Sequence, residues 1–180
     1  MKIAAIAVVV LSLASLTYAV EDVVTAFHGT VTQIDKTGKT IGVKTADGVE
    51  HVFHWSDKTV VHGAKATDVA GKDSWHGLEK GSEVVAHTTK TGTEDTAVEI
   101  DKVGDKGLKA TEGTIKEIDR GGKKLVVSTA DGTEHVFTLT GHAAADAGKD
   151  VAKGSEKGVK VVVYSTEEGG KSVAHFFERI

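Results

Sequence analysis

Nine histidines are the residues of this 180-residue chain whose type and number could do chemistry. His28, His51, His54, His62, His76 and His87 fall in the first half, and His135, His142 and His175 in the second. Neutral imidazole is the commonest protein ligand for Zn, Cu and Ni, so such a concentration raises the question of a metal site. His51-Val-Phe-His54 has the look of a chelating pair. On a strand, however, residues three apart point to opposite faces, and the two rings cannot share an ion unless the strand bulges. A better set is His54 with His62, His76 and His87, two of them in a long connection that the second half of the chain shortens. His54-Trp55 and Trp75-His76 also set an indole beside an imidazole, as a stacked or cation–π contact would require. The competing reading is a scatter of half-exposed barrel and loop histidines, because spacing in a β protein sets no ligand geometry. His51 and His135 occupy matching positions in two similar segments, which points to packing at a barrel mouth.

Other chemistries find no footing. The chain has no cysteine, which excludes disulfides, zinc ribbons, iron–sulfur sites and thiol nucleophiles. No G-x-S-x-G elbow and no phosphate-cradling G-x-x-x-x-G-K-[ST] loop occurs. Gly38-Lys39-Thr40 and Gly170-Lys171-Ser172 imitate the end of such a loop, but Gln33 and Ser165 stand where its first glycine belongs. Glu94-Asp95 and Glu167-Glu168 read as solvated charges in the hairpin before a last strand, not as an acid/base pair. With 22 Lys+Arg against 26 Asp+Glu the net charge is -4, and nucleic-acid binding, which needs a basic surface, is not expected. No enzyme activity is expected either, since no nucleophile and base stand together.

The elements that must position these residues come from one module written twice. Gly29 to Phe53 returns at Gly113 to Phe137 with 15 identities in 25 positions. Ala70-Gly-Lys-Asp73 and Glu79-Lys-Gly81 return, at a shift of 77, as Ala147-Gly-Lys-Asp150 and Glu156-Lys-Gly158. A deletion after the third strand accounts for the change of shift. Asp47-Gly48 and Asp131-Gly132 between alternating runs are hairpin signals. Five strands per copy are expected near 27–35, 40–45, 49–55, 82–89 and 96–103, then 112–119, 124–129, 133–140, 159–165 and 172–179. Val31 and Ile34 fall three apart in the first strand, so a bulge must turn both inward and curl it, as closing a small barrel requires. The fold class is therefore all-β, two tandem five-stranded OB-like barrels: a first repeat over 27–103, a linker over 104–110 and a second repeat over 111–180. The connection from His62 to Lys80 has room for a short helical turn, and a single ten-stranded barrel or sandwich is the architectural alternative.

Met1-Lys2, the apolar run Ile3–Leu11 and Thr17-Tyr18-Ala19 have the form of a secretory signal over 1–19, cleaved after Ala19. No later run approaches spanning length, so no membrane span is expected after cleavage, and the location is periplasmic or secreted. G-x-V-x-x-I-D, the T-A-D-G hairpin, Thr59 or Thr140 near a strand end, a K-G-x-x-V-x-V strand and a closing A-x-x-I strand together resemble a group of exported bacterial OB-like barrel domains of unknown function, often in tandem. More distantly the chain is similar to periplasmic copper-carrying barrels of metal efflux systems, which use Met and His ligands beside a Trp. That resemblance implies a metal-binding fold, but the only methionine is Met1, so the ligand set does not transfer. The expected function is a non-enzymatic exported binding or structural module of the cell envelope, with an envelope partner or small ligand and no cofactor. The alternative is a histidine-based Cu, Zn or Ni protein with His54, His62, His76 and His87 as ligands.

Overall fold

The structure, a computed structural model, describes residues 25–63, 74–91, 93–104, 106–119, 121–144 and 157–180. The expected leader over 1–19 and much of the connection after His62 lie outside these residues.

Each repeat begins as a three-stranded meander. In the first, β1 (Thr25–Asp35), β2 (Thr40–Thr45) and β3 (Glu50–His54) pair antiparallel in sequence order. Short polar residues set the turns. Asp35 Oδ1 accepts the backbone N–H groups of Thr37 and Gly38, both at 2.9 Å, and Asp119 does the same for Gly122 in the second repeat. Gly48 and Gly132 take φ of +85° and +83° in the hairpins that follow, a region open to glycine without steric cost. The bulge expected in the first strand is present. The β1–β2 register slips between Val31 and Gln33, so Val31 reaches the core and Ile34 packs against it.

The rest of the first repeat comprises β4 (Val60–His62), β5 (Ser74–Trp75), β6 (Leu78–Glu79), β7 (Glu83–Thr91) and β8 (Glu94–Lys102). Strands run in the order β3-β2-β1-β7-β8, and β3 closes onto β8, giving a five-stranded barrel of OB-like order. The short β4 continues along β8 where β3 leaves it, pairing Val60, Val61 and His62 with Glu99, Ile100 and Asp101. The second repeat, β9 (Lys109–Asp119), β10 (Lys124–Ser128), β11 (Glu134–Leu139), β12 (Lys160–Glu168) and β13 (Lys171–Arg179), closes in the same order. The helical turn falls here, at 141–144 after β11; the described part of the first repeat's long connection is instead the β5–β6 hairpin.

Each barrel has its own core, one around Phe53, Ile41, Val84 and Ile100, the other around Phe137, Leu125, Val161 and Ala174. A shared ten-stranded core is thereby replaced by two cores and an interface. Val85, Leu108, Tyr164 and Phe176 form a third apolar cluster where the outer face of β1-β7-β8 meets that of β12-β13. Leu108 lies in the connection between the barrels and is only 1% exposed. Its N–H donates to the Lys102 carbonyl at 2.7 Å and its carbonyl accepts from Gly104 at 2.9 Å, so the connection is a closed turn and not a loose tether. Among the described residues no helix is long and apolar enough to cross a membrane.

Candidate metal centre between the barrels

The docking face of the first barrel is written by strand alternation. In β7, Val84 and Ala86 enter the core, so Val85 and His87 point out. In β8 the register slips between Ala97 and Glu99, making Val98 the extra residue, and Ala97 and Ile100 both enter the core. Glu99 and Asp101 therefore share the outer face with His87, and β4 lays His62 directly beside Asp101. Gly63 ends that strand at φ +74°, and a Cβ there would lie 2.4 Å from the Gly107 Cα. Only a glycine lets the chain turn so close to the inter-barrel connection.

The second barrel brings two more imidazoles. The β12–β13 register passes from Tyr164↔Phe176 to Ser165↔Ala174, leaving His175 as the extra residue of a bulge. The bulge resets the alternation, so Phe176 joins the interface cluster while Phe177 packs on the barrel's own core. His142 rides on the turn after β11. Thr140 caps that turn, its Oγ1 accepting from the Ala143 N–H at 3.1 Å.

Docking gathers these groups around two carboxylates. Glu99 is the hub: its Oε1 lies 3.4 Å from His62 Nε2 and 3.6 Å from His175 Nδ1, and its Oε2 2.9 Å from His142 Nδ1. Asp101 Oδ2 lies 3.4 Å from His175 Nδ1 and 3.6 Å from His87 Nε2. The donor atoms of His62, Glu99 and Asp101 all fall within 4.8 Å of one another, the spread of a first coordination shell. His87 and Asp101 are wholly buried, yet both nitrogens of the one and both oxygens of the other lack a hydrogen-bond partner, as does His175 Nδ1. Contacts of 3.4–3.6 Å are close enough for charge attraction but too long for good hydrogen bonds.

The titration behaviour follows from this crowding. Burial works against a charged ring at His175, but the carboxylates of Asp101 and Glu99 outweigh it and raise its pKa to about 9. Burial likewise opposes ionisation of Asp101, and the rings of His175 and His87 overcome it, holding the carboxyl at about 2. Glu99 is also lowered, first by His175, with burial and the neighbouring Asp101 charge working against it. Both carboxylates are thus in the anionic form that a cation needs.

A second polar cluster lies on the other side of Val85. His28 Nε2 is 2.8 Å from Glu83 Oε1 and its Nδ1 is 2.8 Å from Glu178 Oε1. Tyr164 donates its hydroxyl to the same Glu178 oxygen at 2.8 Å. Burial disfavours a charged His28, yet the two carboxylates raise its pKa above the ordinary 6.5. Glu178 is held below 4.5, chiefly by His28. Tyr164 is pushed strongly upward, by burial first and then by Glu178. Every functional group here has a partner.

Of the four residues singled out from sequence, His62 and His87 lie in the inter-barrel cluster, and His54 and His76 lie elsewhere. His54 is exposed, with Glu94 at 3.9 Å. His76, at φ +50°, sets its ring edge-on to Trp75, which stacks on Trp55 at 4.4 Å. No hydrogen bond, ion pair or ring contact joins His54 or His76 to His62 or His87 among the described residues. His51 and His135 pack on phenylalanines, His51 against Phe27 at 4.5 Å and Phe53 at 6.0 Å, and His135 against Phe137 at 6.3 Å. Sequence reasoning passed over Glu99, Asp101, His142 and His175. Alternation in the fifth strand does put the two carboxylates on one outer face, but an outer face reads as solvent until something is known to cover it. Two open grooves, about 240 and 640 Å³, lie over the matching Gly29 and Gly113 saddles and carry mixed charges, the first bordered by the His28–Glu83 pair.

No family model matches the chain, and no curated protein does. Among solved structures the chain is similar to silver-bound CusF, at 18% identity and a TM-score of 0.32, over 43% of this chain and 93% of that one. A silver-bound CusF from Escherichia coli aligns at 17% identity and TM-score 0.33 over 44% and 90% of the two chains. The apo form from the same organism aligns at 15% and 0.33 over 47% and 93%. The likeness is distant and spans less than half of this chain.

Proposed function

We propose that this tandem-barrel protein is a non-enzymatic binding module of the cell envelope whose ligand is a divalent transition-metal ion, held by His62, Glu99 and Asp101. One observation carries the reading. Asp101 is completely buried with neither oxygen hydrogen-bonded, and its carboxylate lies within ligand spacing of an imidazole and a second carboxylate. Its ion pairs with His175 and His87, at 3.4 and 3.6 Å, lack hydrogen-bond geometry, so its oxygens keep lone pairs that a cation could take. The donor chemistry narrows the ion. Imidazole and carboxylate suit Zn(II), Ni(II) and Cu(II), whereas soft ions such as Cu(I) prefer the sulfur ligands that this chain lacks beyond Met1. The envelope setting is supported by the secretory form of Met1–Ala19.

The test is calorimetric titration of the purified protein with Zn(II), Ni(II) and Cu(II), with Mg(II) as a hard-ion control. Saturable binding of one ion, lost in Glu99→Gln and in His62→Ala but kept in His54→Ala and His76→Ala, is the expected result. Weak uptake spread over all the histidines, or affinity unchanged in Glu99→Gln, would end the reading.

A further inference from the structure

We infer that metal binding and the docking of the two barrels are one coupled event, with the second barrel's His142 and His175 completing a site that the first barrel only begins. The inference rests on the metal reading above and concerns what the ion does to the molecule.

The ligand platform of His62, Glu99 and Asp101 belongs wholly to β4 and β8 of the first barrel. Those side chains leave the barrel outward, so an undocked first barrel would present them to water. Docking changes their state. The rings of His175 and His142 arrive from the second barrel, His175 within 3.6 Å of both carboxylates and His142 at 2.9 Å from Glu99. The His87 and His142 rings stand 5.4 Å apart across the interface, and those of His62 and His175 6.3 Å apart. Water is removed from Asp101, His87 and His175 Nδ1 without hydrogen bonds to replace it.

Docking is held by the apolar strip around Val85, Leu108 and Phe176, by the His28 cluster and by the His175 ring against the two carboxylates. The docked barrel offers an ion at these carboxylates two more nitrogen donors. By linkage, whatever docking adds to metal affinity the metal adds to docking. Exposure of His62 and His142, at 50% and 40% of their side chains, leaves a route for an ion at the rim while Asp101 is sealed beneath.

The experiment uses the full chain with Val52→Cys and Val136→Cys introduced, one on each barrel, at positions 49% and 56% exposed. The natural sequence has no cysteine, so spin labels attach only there. The inter-label distance distribution is recorded with and without Zn(II), which is diamagnetic, and Zn(II) affinity is measured in parallel. The expected result is a distribution that narrows with Zn(II). His142→Ala and His175→Asn should each weaken Zn(II) binding by about tenfold or more and abolish the narrowing. The His142 side chain is 40% exposed, so the test does not depend on the buried variant folding. A distribution unchanged by bound Zn(II), or affinity equal to wild type in both histidine variants, overturns the coupling and leaves the ion on the first barrel alone. Absence of Zn(II) binding, or binding that survives Glu99→Gln, overturns the metal reading and the coupling together.

Discussion

The two polar clusters of the interface occupy equivalent places in the two repeats, and they are finished differently. His87 and Asp101 on β7 and β8 correspond, at the repeat's shift of 77, to Tyr164 and Glu178 on β12 and β13. Each pair is a ring and a carboxylate lying diagonally across the same two strands, and each receives an imidazole from the other barrel: His175 in one case, His28 in the other. Around His28 every group is partnered, at 2.8 Å on each ring nitrogen and 2.8 Å from Tyr164 to Glu178. Around Asp101 the same architecture is drier, its contacts are 3.4 Å or longer, and its buried atoms lack hydrogen bonds. A satisfied cluster holds two surfaces together by itself. The other is held by longer ion pairs, and the proposed cation is what would complete it.

The largest test of this contrast removes the unsatisfied pair. His87→Leu with Asp101→Leu should lower Zn(II) affinity by about 100-fold or more, since ligands and their immediate supports are lost together. Affinity unchanged from wild type would show that the pair takes no part in binding.

The opposite behaviour is expected of the other cluster. Glu178→Gln should lower stability by about 1 kcal/mol, discounted from a fully buried charged hydrogen bond because Glu178 remains a third exposed. Its Zn(II) affinity should match wild type.

The stability difference between wild type and Glu178→Gln should depend on pH in a defined way. His28 has a folded pKa above its ordinary 6.5, so its contribution is complete below that value and fades as pH rises through the folded one. Glu178 has a folded pKa below its ordinary 4.5, so its contribution is complete above that value and fades as pH falls through the folded one. The difference should peak between 4.5 and 6.5 and shrink on both sides, measured by urea midpoints across the range. A difference that grows steadily toward alkaline pH would contradict the clamp.

The smallest effect is expected from Tyr164→Phe, which removes one hydroxyl and keeps the ring against Phe176. A loss of about 0.5–1 kcal/mol, with no change in Zn(II) affinity, would mark that hydrogen bond as one member of a redundant set.

Much of the fold is legible in the residues. The repeat of Gly29–Phe53 at Gly113–Phe137, the Asp-Gly hairpins and the three-residue spacing of Val31 and Ile34 are local signals, and the strands, turns and bulge they imply are present. Turn chemistry and alternation act over a few residues, so the sequence carries them openly. The histidines behaved otherwise. His51-Val-Phe-His54 is conspicuous in one dimension, yet His51 packs on Phe27 while His54 faces Glu94. His175 is inconspicuous, and its place depends on a bulge whose register only the pairing with β12 defines.

What the chain determines by itself is the pair of barrels: which residues face each core, where the turns fall, and that β8 carries two carboxylates on its outer side. What only the tertiary structure decided is that this outer side is not the surface. Alternation tells inside from outside of a barrel, but burial of an outward Asp101 depends on a second barrel docked through Leu108, Tyr164 and Phe176. Docking buries one cluster without giving Asp101 and His87 hydrogen bonds, and that burial, invisible to any local pattern, turns a row of outward charges into part of an interface.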